Sequence, residues 1–389
     1  MGSEIWKDTG VVRIVQANAV YDPAATTPAA LLDLYRTLTE WSTAVLRAGA
    51  TVSVVQRFHA AASIERDGVR YEFVADQEPP WLSTKGAPPP FVDAIAKQGA
   101  DVVHVNGLIF PQLVASIRAR CGPQATIVAQ HHGGEFPIRG SGLVGMWQRQ
   151  RWKAGLAAAN AVSFTAAEQA EPWRAAGVLA DQRVIEIVEA GTTLREVGRE
   201  RARTAIGATG APLILWVGRL TTNKDPLTVL DGFERALPQL PGSRVIMVFG
   251  DDTLIESVDQ RVRESSLLKD HVTLAGRVPH DEMPNYYGAA DVYVSGSHSE
   301  GSGYALIEAM SAGVVPVVTN IASFRAIAGE QHAAWTPGDA DGFARALVQT
   351  ATTNLDAQKI AVKDRFRRLL SWDAIGARTV NEYRALRTA

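Results

Sequence analysis

Short β-branched runs alternate with longer stretches of helical periodicity along this sequence, and the pattern is run through twice. In the first half the runs are VVRIVQA (11–17), TVSVV (51–55), DVVHV (101–105), TIVAQ (within 125–130), AVSFT (161–165) and VIEIV (184–188). The second half gives LILWVG, RVIMVFG, VTLAG, DVYVSG and VVPVVT. Between them lie segments such as AALLDLYRTLTEWSTAVLRAG and DPLTVLDGFERAL, with apolar residues every three to four positions. Strand and helix in strict alternation imply parallel sheets covered by helices on both faces. The expected fold is α/β, with two doubly wound parallel-sheet domains facing each other across a cleft.

The seam is expected near EAGTTLREVGRERART, dividing the chain into 1–192 and 193–370. The closing segment, 371–389, reads as a helix that offers Trp372, Ile375, Val380 and Tyr383 for packing back onto the first domain. At 389 residues and 46% hydrophobic, the chain can bury more than one core. A formal charge of −2 gives no electrostatic case for a nucleic acid partner. A single cysteine, Cys121, excludes an internal disulfide and fits a reducing compartment, and no Cys/His cluster has zinc spacing. Apolar runs such as PLILWV and GVVPVV fall far short of a membrane span, so the expected location is the cytoplasm.

One stretch concentrates chemistry. In SEGSGYALIEAMSAGVVPV (299–317) a loop carrying Glu300, Gly301, Ser302 and Gly303 follows the strand DVYVS and leads into a helix containing Tyr304, Ala305 and Glu308, stopped by Gly313. Strand, glycine loop and helix aim backbone N–H groups and a positive dipole end beyond the strand's carboxyl edge, where an anion belongs. Glu300 and Glu308 would flank that anion and accept hydroxyl hydrogen bonds, which describes a nucleotide sugar. In LILWVGRLTTNKDP the strand ends at Gly218, Arg219 and Lys224 supply cations, and Asp225 and Pro226 start a helix as N-cap and first residue. Both loops open on the same edge of one parallel sheet, so Arg219 and Lys224 meet the same diphosphate and neutralise the charge of a departing nucleoside diphosphate, a role otherwise filled by a metal. No Asp-x-Asp metal pair stands out, and the adjacent Asp251 and Asp252 are given a loop and no metal.

Glu300 against Glu308, followed by AMSAGVVPVV, resembles the retaining glycosyltransferases of the GT-B fold, family 4, built from two Rossmann-like domains. The similarity continues in GRLTTNKDP, in VTLAGRVPHDEMPNYYGAADVYVSGS and in the closing SWDAIGARTVNEYRAL, and covers most of 210–389. The resemblance implies that Glu308 binds the donor ribose. It also implies that Glu300 and the backbone near Gly303 and Tyr304 touch the sugar, that Arg219 and Lys224 hold the diphosphate, and that Arg277 and Val278 lie by the base. In the first domain, TIVAQHHGGEFP puts His131, His132 and Gly133 after a strand, and His132 stands where family members carry a histidine near the reacting carbon. Two departures are visible. NAVYDPAATTPAALLD has no glycine where the family usually has a Gly-Gly loop, and Ser302 replaces a common aromatic.

The implied activity is that of a retaining hexosyltransferase using a UDP- or GDP-sugar, with no cofactor or metal and with an unidentified hydroxyl acceptor. Arg219 and Lys224 act by electrostatic stabilisation, and His132 and Glu300 complete the catalytic set. A nucleotide-sugar epimerase, a sugar phosphorylase or a non-catalytic binder on the same plan remains an alternative. A nicotinamide dehydrogenase does not, because VQANAVYD, WVGRLTTN and VFGDDTLI all lack Gly-x-Gly-x-x-Gly. The bland readings are a solvated Glu308, a surface Glu300 and Arg219, and turn histidines that only bond the backbone. GMWQRQRWKAGL (145–156) interleaves Trp147 and Trp152 with Arg149, Arg151 and Lys153. Its expected form is a helix with tryptophans in the core and basic residues in solvent, the other reading being peripheral contact with a membrane or an anionic acceptor.

Overall fold

The computed structural model describes residues 10–76, 88–133, 136–138, 140, 142–250, 253–329 and 332–388. It contains two units: one runs to Ala190 and takes back the closing segment from Trp372, and the other is Gly191–Ser371. Among the described residues no helix is long and apolar enough to cross a membrane.

The strands of the first unit are β1 (Arg13–Asn18), β2 (Thr51–Phe58), β3 (Ala62–Arg66), β4 (Val69–Ala75), β5 (Val102–Asn106), β6 (Thr126–Gln130), β7 (Ala161–Phe164) and β8 (Arg183–Glu186). They form one sheet in the order β3-β4-β2-β1-β5-β6-β7-β8, parallel except for β3. Every residue of β6 and β7 is buried, as a strand covered by helices on both faces requires. The expected strict alternation breaks at β3 and β4, an antiparallel pair turned by Asp67 and Gly68, both at positive φ (53° and 77°). An Asp-Gly pair between alternating residues is the signal of such a hairpin, and it stands plainly in SIERDGVRYEF.

The closing helix, Trp372–Thr388, belongs to this unit and buries Trp372, Ile375, Val380 and Tyr383 as the sequence implies. It packs on the helix Arg36–Arg47. The Tyr383 hydroxyl also shares a 2.5 Å hydrogen bond with Nδ1 of His104, a residue of β5 whose burial pushes its pKa down to about 3. The helix Gly142–Leu156 departs from expectation. Trp152 packs against Trp173 at the core, but Trp147 is 61% exposed beside exposed Leu143, Val144 and Met146.

The second unit holds β9 (Leu213–Gly218), β10 (Arg244–Phe249), β11 (Val272–Gly276), β12 (Val292–Ser295), β13 (Val315–Thr319) and the two-residue β14 (Ala334–Trp335), which no periodicity could reveal. The order is β11-β10-β9-β12-β13-β14, all parallel. Asp291 anchors it. Its side chain is 2% exposed and accepts from the Leu213 N–H (2.9 Å), and it is paired with Arg199 (2.9 Å), Arg203 (2.8 Å) and Lys359 (2.8 Å). Burial works against the charged form, but Lys359, the backbone N–H and Arg199 outweigh it and hold the carboxyl below the usual carboxylate range. Because the folded value lies below the unfolded one, this stabilisation is full at neutral pH and is lost as pH falls through the folded value. Asp291→Ala should cost ~3–5 kcal/mol by leaving three cations around an unpaired site, and denaturant unfolding of the full chain measures it. A cost under about 1 kcal/mol would mean the cluster contributes no more than surface ion pairs do.

Candidate active site

In the second sheet the chain steps outward from β9 through β10 to β11 and then crosses back to β12 on the other side of β9. The crevice of a doubly wound sheet opens at that reversal, beyond the carboxyl ends of β9 and β12. The loops that follow these two strands are residues 219–225 and 296–303. They are laced together: the His298 N–H donates to the Asn223 carbonyl (2.8 Å), Asn223 Nδ2 donates to the Ser299 carbonyl (3.0 Å), and His298 Nε2 lies 3.0 Å from Asp225 Oδ2. Gly296 permits the approach. A Cβ there would lie 2.9 Å from the Asp225 carbonyl oxygen and 3.1 Å from that of Lys224. The lacing brings Lys224 Nζ into an ion pair with Glu300 Oε1, both side chains being mostly buried.

The second loop ends at Gly303, the N-cap of the helix Tyr304–Ser311. Gly303 sits at φ 76°, and a Cβ there would lie 2.6 Å from the Phe324 ring, so both conformation and space require glycine. As a glycine the N-cap makes no side-chain cap bond, and this helix end turns its positive dipole end toward the carboxyl edge of the sheet. One turn in, Glu308 Oε2 accepts a 2.8 Å hydrogen bond from the hydroxyl of Tyr287. Tyr287 is fully buried; burial and then the Glu308 charge push its pKa well up, so the hydroxyl stays a donor. Tyr293 of β12 is raised too, by burial and then by Glu300 and Glu308, which puts both carboxylates within electrostatic reach of one ring.

The remaining sequence-predicted residues are less tightly gathered. Gly218 closes β9, and Arg219 follows it, exposed and with no side-chain hydrogen bond or ion pair among the described residues. Arg277 and Val278 follow the edge strand β11, two strands from β9, with Arg277 donating to the Gly250 carbonyl (2.7 Å). Ser302 is buried, Gly301 and Ala305 are half-buried, and Tyr304 is exposed. Asp251, Asp252 and Gly134 lie outside the described residues.

In the first unit the paired histidines part company. His131 is packed inside, stacked on Phe164 (4.8 Å between ring centres) and edge-on to Trp173, and burial pushes its pKa down to about 4. It is a neutral core residue rather than the positioning group the sequence suggested. His132 is half-exposed beyond the end of β6, its Nδ1 against Glu189 and its Nε2 against Asn106, with Gly133 next to it. Sequence reasoning missed Asn223, His298, Tyr287, Glu189 and Asn106, which act through residues distant in the chain. For Asn223 and His298 the only signal was their place in the two loops.

Residues 211–353 match the family described as Glycosyl transferases group 1. Mannosylfructose-phosphate synthase of Agrobacterium fabrum is 34% identical over 143 residues, a match spanning 35% of this chain and 31% of that protein. The GDP-mannose:cellobiosyl-diphosphopolyprenol alpha-mannosyltransferase of Xanthomonas campestris is 26% identical over 296 residues, 75% of each chain. In three dimensions the sucrose-phosphate synthase of Thermosynechococcus elongatus is similar with a TM-score of 0.68 over 97% of this chain and 99% of that one, at 21% identity. Residues 211–353 are therefore similar to the glycosyl transferases group 1 family, the chain as a whole has the two-sheet GT-B fold, and every residue considered above at the edge of the second sheet falls within the matched stretch.

Proposed function

We propose that the chain is a retaining hexosyltransferase that takes a mannosyl or glucosyl unit from a GDP- or UDP-sugar and passes it to an acceptor hydroxyl. The observation that carries this reading is the lacing of the two loops, which sets Lys224, Glu300 and the positive end of the helix Tyr304–Ser311 at one point of the sheet edge. An anion is favoured there, and the hydroxyls of a sugar and a ribose have Glu300 and Glu308 to bond to. Lys224 and Arg219 take the charge that grows on the leaving diphosphate. The acceptor oxygen bonds to the anomeric carbon on the face the diphosphate leaves, and the acceptor's proton passes to a phosphate oxygen. His132 positions the sugar or the acceptor.

Calorimetric titration with GDP, UDP, ADP and TDP, each without and with a divalent cation, tests the donor side. Saturable binding of one of them that survives chelation is expected, with Lys224→Ala weakening it and lowering kcat roughly 10²–10³-fold. Binding of none, or normal turnover in Lys224→Ala, would remove the reading.

The acceptor side has its own observation. The helix Gly142–Leu156 exposes Leu143, Val144, Met146 and Trp147, carries Arg149, Arg151 and Lys153 with no acidic residue, and sets Arg151 over the Trp147 ring at 5.4 Å. Apolar residues beside cations suit the headgroup zone of an anionic bilayer, and the Xanthomonas campestris relative is named for a polyprenol-linked acceptor. A lipid-linked acceptor reached by peripheral membrane contact follows. Sedimentation with phosphatidylglycerol vesicles, but not with phosphatidylcholine ones, is expected for the unchanged chain and should be lost in the Leu143→Ser, Trp147→Ser double variant. Equal sedimentation of both proteins would mean the helix is not the contact.

A further inference from the structure

His132 ends a chain of side-chain hydrogen bonds that runs along the carboxyl edge of the first sheet. Gln56, at the end of β2, places Nε2 against two backbone carbonyls, those of Val20 (2.7 Å) and Arg57 (2.8 Å). Carbonyls only accept, so this end of the amide must be the NH₂ group and the other must be the oxygen. That oxygen, Gln56 Oε1, accepts from Asn18 Nδ2 at 2.5 Å. Asn18 therefore turns its own oxygen the other way, where it accepts from Asn106 Nδ2 at 3.4 Å. Reversing either asparagine would bring two oxygens or two NH₂ groups together. Asn106 is left with Oδ1 facing Nε2 of His132, and that oxygen only accepts.

The other side of the ring is equally constrained. Nδ1 faces Oε2 of Glu189, a carboxyl group 7% exposed. A carboxylate accepts from Nδ1–H, and a protonated carboxyl donates to bare Nδ1. In either case one hydrogen lies between the two, and Nε2 carries another. The hydrogen count of the pair is set by geometry, whichever atom holds the shared one.

From this we infer that His132 is wired as a hydrogen-bond donor by the relay Gln56–Asn18–Asn106 and by Glu189, and does not act as the base that removes the acceptor's proton. Neither ring nitrogen offers a lone pair to substrate. Glu189, Asn106, Asn18 and Gln56 are positioning residues that act through the ring. The inference rests on the retaining transfer proposed above and sharpens it, because the proton released when the acceptor oxygen bonds to the anomeric carbon must go to the departing phosphate rather than to this imidazole.

The test is ¹⁵N NMR of the full chain labelled at its histidines, eight in all, with His132 assigned by its loss in His132→Gln. The expected spectrum shows Nε2 of His132 with a bonded hydrogen, and an Nε2 signal of the unprotonated type would overturn the inference. Gln56→Leu removes the anchor without touching any atom that contacts His132. It frees the two asparagines to reverse, so Nε2 should shift toward the unprotonated type, whereas a ring indifferent to the relay would show no change. Should Gln56→Leu not fold, Asn106→Asp and Asn106→Leu serve instead: the carboxylate can only accept and keeps the bonded-hydrogen signal, and leucine loses it. In turnover, His132→Gln can still donate to Asn106 and should keep roughly tenfold more kcat than His132→Ala, while equal losses would count against a role for that bond. The spectra need no substrate, so a wrong relay is distinguishable from a protein that binds no nucleoside diphosphate.

Discussion

A buried carboxylate at the foot of the second sheet makes the site at its top possible. Asp291 immediately precedes β12 and takes the N–H of Leu213, the first residue of β9, so the two strands on either side of the topological switch are tied at their amino ends. Arg199 and Arg203 bring in the helix Arg199–Ile206, and Lys359 brings in the helix Leu355–Arg365. A charge so deep is tolerable only with several partners. What it secures is register. With β9 and β12 started level, Val292 faces Ile214 and Val294 faces Trp216, and the loops beyond their carboxyl ends emerge side by side. The lacing of Asn223 to Ser299 and His298, and the Lys224–Glu300 pair, follow from that alignment.

The parallel sheets, the returning closing helix and the glycine-bearing loops that follow β9 and β12 were legible because each is written in a contiguous pattern. Asp225 and Pro226 start their helix, and Gly303 and Gly313 bound theirs, by local backbone preferences that single residues reveal. What escaped is written across the chain. Tyr287 reaches Glu308 from 21 positions away, His298 reaches Asp225 from 73, and Glu189 reaches His132 from 57. Each contact exists only once the strands have been ordered. The hairpin at Asp67 and Gly68 is a different miss, since its signal was present locally and the reading of strict alternation passed over it. Adjacent histidines gave no local clue that one would be packed beneath aromatics and the next left at the strand's end.

The two units solve the problem of a polar sheet edge in unlike ways. The second gathers formal charges and a helix end, suited to a ligand whose recognised part is an anion. The first lines up neutral amides, Gln56, Asn18 and Asn106, between a buried ion pair of Arg57 with Asp76 and the His132–Glu189 pair. Neutral amides contribute orientation rather than field, because each must choose which end donates, and one fixed choice propagates to the next. Asn18, which ends β1, is the middle of that line. The stretch after it has no glycine pair, so at this strand's end the unit offers a side-chain amide rather than a backbone opened by glycines.

On the proposed reading, the Lys224–Glu300 pair also bears on how the donor is chosen. Both side chains are mostly buried, so their attraction is poorly screened and neither gives up the other without a substitute. A diphosphate competes with Glu300 for the Lys224 ammonium, and the hydroxyls of the donor sugar offer Glu300 hydrogen bonds in exchange, which a nucleoside diphosphate alone does not supply at that end. Complete exchange of partners therefore favours the intact nucleotide sugar over the product nucleotide. Once the sugar has been transferred, Glu300 loses its hydroxyl donors and competes again for Lys224, which weakens the hold on the spent diphosphate and helps it leave.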